Sequence, residues 1–420
     1  MTSPGFLFII LAMLPKVKVP KNLIYLDHAA GTFLDPEVKK SMELFLGANF
    51  GNASSLYNLG KKSKEAIEFS RKQVAEVLSA RAEEIVFTAG GTESNNLAIF
   101  GSVSENKKVH VITSVIEHPS VLEPVLELQN RGHKVSLLKV DKNGFINLDQ
   151  IKKAVRPETV LISVMYANNE VGTVQAISEI GKWLRQENQK RISKKLSPIL
   201  FHTDACQATG ALDLNVNRLG VDLLTLNGSK IYGPKQSGVL FVRKGLKLKP
   251  VIFGGGQEKG LRSGTENVAG IVGFAKALVL AEKSRDKESK RLKSLRDYFI
   301  TQALKSVKGA SLNGFDERTK LRVNNFSVKR LPNNINLSFK GLEGETALIY
   351  LDSYNIAVST GSACSSVRGE TSHVLLALGL TKEQAESSLR FTLGKNTTLK
   401  EINFVLKVLP GIVQTIRAMK

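Results

Sequence analysis

"VDLLTLNGSKIYGPK", residues 221–235, runs from an apolar stretch into a polar end and then a glycine–proline turn. A short continuous apolar run bounded by turn residues reads as a strand buried on both faces, the kind found in parallel sheets covered by helices. Lys230 follows Asn227, Gly228 and Ser229, with no other charge until Lys235. A lysine held partly out of water has a lowered pKa and can act as an amine nucleophile on carbonyls. Alone, the segment reads first as a surface lysine opening a loop.

The same pattern recurs outward in both directions. Strands are expected at 84–90 (EIVFTAG), 109–114 (VHVITS), 134–140 (KVSLLKV), 160–167 (VLISVMYA), 199–205 (ILFHTDA), 222–228 (DLLTLNG) and 238–244 (GVLFVRK). Helical patterns lie between several of them, as in KSKEAIEFSRKQVAEVL (62–78), so the expected fold is α/β with a mostly parallel seven-stranded sheet. After about residue 275 the order changes to a long charged helix followed by isolated strands and helices, which implies a smaller α+β domain. The expected division is a large domain over 35–275 and a small one from 23–34 with 276–420. The polar stretches 185–197 and 313–334 read as exposed insertions.

Composition narrows the classes. The 420 residues are 42% hydrophobic and 23% charged, ordinary for a globular protein. Lys+Arg 59 against Asp+Glu 38 gives a net charge of +21. The basic residues are dispersed, without an arginine-rich arm or interleaved aromatics, which argues against direct nucleic-acid binding. The two cysteines, Cys206 and Cys364, exclude a disulfide framework and a cysteine-cluster zinc site, and no metal is expected. They fit a reducing, cytoplasmic compartment. The apolar run Phe6–Leu14 is far short of the roughly 20 residues of a spanning helix. It also lacks the basic flank of a secretory signal, so residues 1–22 read as a non-functional extension, with no membrane role, and Met13 as an internal start.

In an open α/β sheet, ligands bind outside the carboxyl ends of the strands. Those ends here are AGGTESN (89–95), IEHPS (116–120), NNEVG (168–172), DACQ (204–207) and NGSK (227–230). Gly91 and Thr92 have the form of a phosphate cradle at a helix start. Asp204 closes an apolar strand, either as a helix cap or as a buried carboxylate facing a cation. His118 offers a flat imidazole, and Asn169 and Gln207 offer neutral donors. A phosphate cradle, a buried acid and a carbonyl-reactive lysine together are what pyridoxal phosphate requires.

The chain resembles the cysteine desulfurases of the NifS/IscS type, in the class V aminotransferase family of pyridoxal-phosphate enzymes. The resemblance is carried by IYLDHAAGT (24–32), FGNASSLYNLG (50–60), IVFTAGGTESNNLAI (85–99), YANNEVGTVQ (166–175), HTDACQATG (202–210) and KIYGPK (230–235). It continues through GGGQEKGLRSGTENV (254–268), STGSACSSVRGETSHVLLALGL (359–380) and SLRFTLG (388–394), in family order from about residue 23.

The resemblance implies pyridoxal-phosphate fold type I and a set of roles. Lys230 would be the Schiff-base lysine, Asp204 the partner of the pyridine nitrogen, and His118 a ring-stacking residue that assists proton transfer. Asn169 and Gln207 would contact the phenolic oxygen, and Asn169 and Arg390 the substrate carboxylate. Gly91, Thr92, Asn227 and Ser229 would bind phosphate, and Thr265 would reach the phosphate of a neighbouring subunit, implying a homodimer. Cys364 would take sulfur from L-cysteine as a persulfide, leaving L-alanine, and pass it to an iron–sulfur scaffold or sulfur-carrier protein for cluster assembly or tRNA thiolation. Cys206 reads as a small buried residue behind the cofactor. One position departs from the family: Ser229 stands where histidine usually precedes the lysine, so one imidazole donor to phosphate is missing. The competing readings are a selenocysteine lyase or other class V enzyme, and a non-catalytic paralogue that binds a sulfur-transfer partner.

Overall fold

The computed structural model describes residues 17–103, 107–318, 330–361 and 371–419. After a two-residue strand β1 (Ile24–Tyr25), seven strands form one sheet: β2 (Ile85–Thr88), β3 (His110–Ser114), β4 (Lys134–Leu138), β5 (Thr159–Ser163), β6 (Leu200–Asp204), β7 (Leu223–Asn227) and β8 (Gly238–Val242). Their order is β2-β8-β7-β6-β5-β3-β4. Strand β8 runs antiparallel to both β2 and β7, and the remaining neighbours are parallel. All seven correspond to the apolar runs expected from sequence, and the α/β class is as expected. Every residue of β2, β3 and β8 is buried, as a sheet covered on both faces requires.

The order explains where the site lies. From β3 the chain goes outward to β4, then returns to the other side of β3 as β5 and continues to β6 and β7. The crevice at such a reversal, beyond the carboxyl ends of the strands, is where α/β sheets bind ligands.

A second sheet pairs β9 (Ala310–Leu312), β10 (Asn334–Phe339) and, after the short β11 (Ile356–Ala357), β12 (Ser388–Thr392), in the order β12-β10-β9. Strand β1 joins β11 in a separate parallel pair, and Asp27 bridges Thr392. The two largest apolar cores among the described residues lie apart. One gathers Val74, Phe87, Ile162, Phe201, Leu224 and Phe241 around the main sheet. The other gathers Leu26, Phe299, Ile335, Leu337, Phe391, Val405 and Ile412. The helix Val268–Ser306 serves both, with Phe274 in the first and Phe299, Ile300 and Ala303 in the second.

Of the two polar stretches read as exposed insertions, 185–197 is largely exposed with Arg191 as the exception, and the described part of 313–334 is not. Residues up to Ser193 continue the helix Ile177–Ser193, and Arg191 is buried, donating to the carbonyls of Ser197, Arg156, Pro157 and Thr159. In the described part of 313–334, Arg330 is buried and donates to the carbonyls of Asn313, Phe315 and Asn334. A guanidinium has five donors, so it can satisfy orphan carbonyls where chain turns converge. A count of polar residues does not reveal that use.

Candidate active site

The carboxyl ends of β2, β3, β5, β6 and β7 converge on a cavity of about 230 Å³ lined by Gly91, Thr92, His118, Ser120, Asn169, Asp204, Cys206, Gln207, Asn227, Lys230 and Arg390, with Ala29, Ala30, Met165 and Ala167. Ser229 and Thr265 do not line it, and Cys364 lies outside the described residues.

After β2 the chain turns at Gly90 (φ 140°), a value open to glycine, into the helix Gly91–Gly101. No side chain caps that helix start, so its free N–H groups are available to an anion. A Cβ on Gly91 would lie 2.9 Å from Cys206 Sγ, so a larger residue would intrude on the packing here.

His118 is the N-cap of the helix Pro119–Asn130, where Pro119 supplies a pre-set φ at the first position. Ser120 N–H donates to His118 Nδ1 at 3.1 Å. A backbone N–H can only donate, so Nδ1 is the acceptor and the neutral ring carries its proton on Nε2. Burial holds the imidazole below its ordinary pKa, against an opposing pull from Asp204.

Asp204 closes β6. Its Oδ1 accepts from Cys206 N at 2.9 Å and its Oδ2 from Asn95 Nδ2 at 2.8 Å. The same Asn95 amide donates to Ser120 Oγ at 2.8 Å, and Ser120 Oγ lies 2.8 Å from His118 Nδ1. Asp204, Asn95, Ser120 and His118 therefore form one polar chain. Sequence reasoning missed Asn95 and Ser120. Asn95 lies four residues after Gly91, hence on the same helix face, a spacing that could have exposed it.

Lys230 Nζ donates to the carbonyls of Ala29 and Ala30, both at 2.8 Å. Burial lowers its pKa, so a larger share of the amine is unprotonated than in an exposed lysine. Gln207 Nε2 donates to the Ala29 carbonyl at 3.0 Å. Arg390, on β12, is 1% exposed; Nη2 meets Asp27 Oδ1 at 2.8 Å and Nη1 meets the Asn169 carbonyl at 3.2 Å. Burial, then Asp204, pushes the Cys206 thiol well above its usual range, which keeps it protonated and unreactive.

These residues fit pyridoxal phosphate. The uncapped helix start suits its phosphate. Asp204, fixed by two donors, presents an acceptor to the cavity that suits a ring N–H, and Lys230 supplies the amine. Among the described residues no cluster of His, Cys, Asp or Glu is placed to hold a metal ion, and no helix is long and apolar enough to cross a membrane.

Comparison with known proteins agrees with this geometry. The aminotransferase class-V family matches residues 24–405, and the chain belongs to that family of pyridoxal-phosphate enzymes. Within it, the chain is 47% identical over 401 residues to the cysteine desulfurase IscS of Dictyoglomus turgidum, covering 95% of this chain and 96% of that one. A solved NifS-like protein superposes with a TM-score of 0.83 at 33% identity, covering 93% and 99% of the two chains. The structure of SspA in complex with cysteine superposes with a TM-score of 0.73 at 34% identity, covering 88% and 98%. The family, fold and cofactor class are those expected from sequence.

Proposed function

We propose that the chain is a cysteine desulfurase that converts L-cysteine to L-alanine and keeps the sulfur as a persulfide on Cys364. The observation that carries this is the convergence of Lys230, His118, Asp204, Asn169 and Arg390 on one cavity, joined to a cysteine at 364 that no structural role in an apolar run explains. Cysteine held by the solved relative SspA supports the substrate.

Gly91, Thr92 and Asn227 would hold the cofactor phosphate, Asp204 the pyridine nitrogen, and Gln207 and Asn169 the phenolic oxygen. When bound, pyridoxal phosphate supplies an electron sink that weakens the bonds at the substrate's Cα. Arg390 binds the substrate carboxylate, held in orientation by Asp27 and the Asn169 carbonyl. Lys230, its pKa lowered by burial, would hold the cofactor through its carbonyl carbon and would take and return the Cα proton, assisted by His118. The Cys364 thiolate attacks the substrate sulfur: an S–S bond forms, the C–S bond breaks with its electron pair going to carbon, and Cβ takes a proton. The products balance as L-alanine and Cys364–S–SH.

The large unit (35–275) then holds the cofactor, and the small unit (23–34 with 276–420) carries Cys364; the two apolar cores support this division. The enzyme works as a homodimer in which Thr265, exposed and away from its own cavity, completes the partner's phosphate site. Exposed Phe50, Leu56 and Phe253 support a covered surface. A cytoplasmic location suits a persulfide that must be passed to a scaffold or carrier protein. Purified protein is expected to be yellow and to release sulfide from L-cysteine with a reductant. Sulfide release by Lys230→Ala would overturn the lysine's role.

A further inference from the structure

Glu170 is 1% exposed and directly follows the cavity residue Asn169, yet it does not line the cavity. Its main chain is tied on both sides. The N–H donates to Asn168 Oδ1 at 2.8 Å, and the carbonyl accepts from Asn334 Nδ2 and Asn336 Nδ2, both at 3.1 Å. The carboxylate accepts the hydroxyl of Ser372. A Cβ built on Gly361 would lie 3.3 Å from Glu170 Oε2 and 3.7 Å from Ser372 Cβ. Gly361 and Ser372 therefore stand side by side at one buried carboxylate. Between them in sequence are residues 362–371, ten residues that include Cys364. A further tie follows at once: His373 Nε2 donates to the carbonyl of Glu117 at 3.0 Å, the residue before His118.

We propose that Glu170 is a positioning residue for sulfur transfer: it bonds Ser372 beside Gly361, and so fixes one of the two neighbouring chain positions from which the Cys364-bearing segment departs, next to the cavity residue Asn169. This rests on Cys364 being the sulfur acceptor. A short tether fixed at both ends confines a thiol to a small volume and raises its effective concentration at the substrate sulfur. Releasing an end enlarges that volume. The Cα proton chemistry at Lys230 and His118 needs no thiol and is left alone.

The test uses full-length holoenzyme with Glu170→Ala, Glu170→Gln and Ser372→Asp. Aspartate keeps a side-chain cap on the helix that Ser372 starts, but sets two carboxylates against each other. Three quantities are read: cofactor affinity by titrating apo-protein, exchange of the L-alanine α-proton with deuterium, and single-turnover persulfide formation on Cys364 by mass spectrometry. Cofactor affinity and α-proton exchange are expected to stay within about twofold, while persulfide formation falls at least about tenfold in Glu170→Ala and Ser372→Asp, as a loss of effective concentration predicts. Glu170→Gln, whose amide oxygen still accepts the Ser372 hydroxyl, is expected to recover most of that rate. An unchanged persulfide rate, or all three quantities falling together, overturns the proposal. Ser372→Asp leaves the backbone ties of Glu170 intact and decides the matter if Glu170→Ala does not fold. A wild-type enzyme that makes no persulfide on Cys364 would instead refute the reading beneath it.

Discussion

Arg390 Nη2 meets Asp27 Oδ1 at 2.8 Å, while the buried Nε of the same guanidinium has no hydrogen-bond partner among the described residues. Nη1 meets the Asn169 carbonyl at 3.2 Å, so both ends of the planar fork are held while Arg390 lines the cavity. A lysine has no such fork and presents a point charge. Arg390→Lys is therefore expected to raise KM for L-cysteine by roughly 10–100-fold, from the ~1.5–3 kcal/mol of a hydrogen bond to a charged group. Steady-state kinetics check this, and an unchanged KM would remove Arg390 from carboxylate binding.

Glu117 predicts an alkaline cost in stability. Burial lifts its carboxyl to about 8 from an ordinary 4.5, and its buried Oε2 has no hydrogen-bond partner among the described residues. Between those values the folded chain holds a proton that the unfolded chain has lost, so stability falls as pH rises from 4.5 to 8. Glutamine mimics the protonated acid. The drop in Tm between pH 6 and pH 9 is expected to be smaller for Glu117→Gln than for wild type, and equal drops would contradict it.

On the acid side the sign reverses. Burial pulls His202 and His110 down to about 4 from an ordinary 6.5. Below 6.5 the unfolded chain gains protons first, so stability is lost as pH falls toward 4. His202 is bonded to Ser163 and Thr225 through both ring nitrogens. His202→Gln is expected to flatten the acid limb of denaturant-derived stability against pH; an unaltered limb would assign it to other groups.

Ser229 acts through Asn227. Its N–H and hydroxyl both donate to Asn227 Oδ1 at 3.1 Å, which leaves the amide NH₂ on the side of Gly91 and the helix start. Asn227→Ala is expected to weaken pyridoxal phosphate binding by about tenfold or more, and Ser229→Ala by a few fold, the worth of one neutral hydrogen bond. Titration of apo-protein measures both. A larger loss for Ser229→Ala than for Asn227→Ala would mean that the serine, not the asparagine, meets the phosphate.

The sheet was legible because its strands are continuous apolar runs that end in chemically distinct residues, so Asp204 and Lys230 stand out by position. Strand order was not legible, since β3 and β5 are separated by a whole outward excursion through β4. Asn95 and Glu170 escaped because each bonds another side chain without lining the cavity, and Ser120, which lines it, because its bonds to Asn95 and His118 are pairs of which composition carries no trace. Arg191 and Arg330 misled for the opposite reason: cations that satisfy buried carbonyls look like solvent-facing charge. The long helix Val268–Ser306 serves two cores without any break in its sequence, so no linker marks a boundary there.

The most direct measurement of the central claim is mass spectrometry of Cys364→Ser beside wild type after one turnover with L-cysteine, with cofactor content measured by absorbance. Wild type is expected to gain one sulfur on the peptide containing Cys364. The serine variant is expected to retain its yellow cofactor and its affinity for L-cysteine while gaining no sulfur anywhere, because a hydroxyl cannot accept sulfane sulfur. Normal desulfuration by the variant, or a persulfide on Cys206, would contradict the assignment.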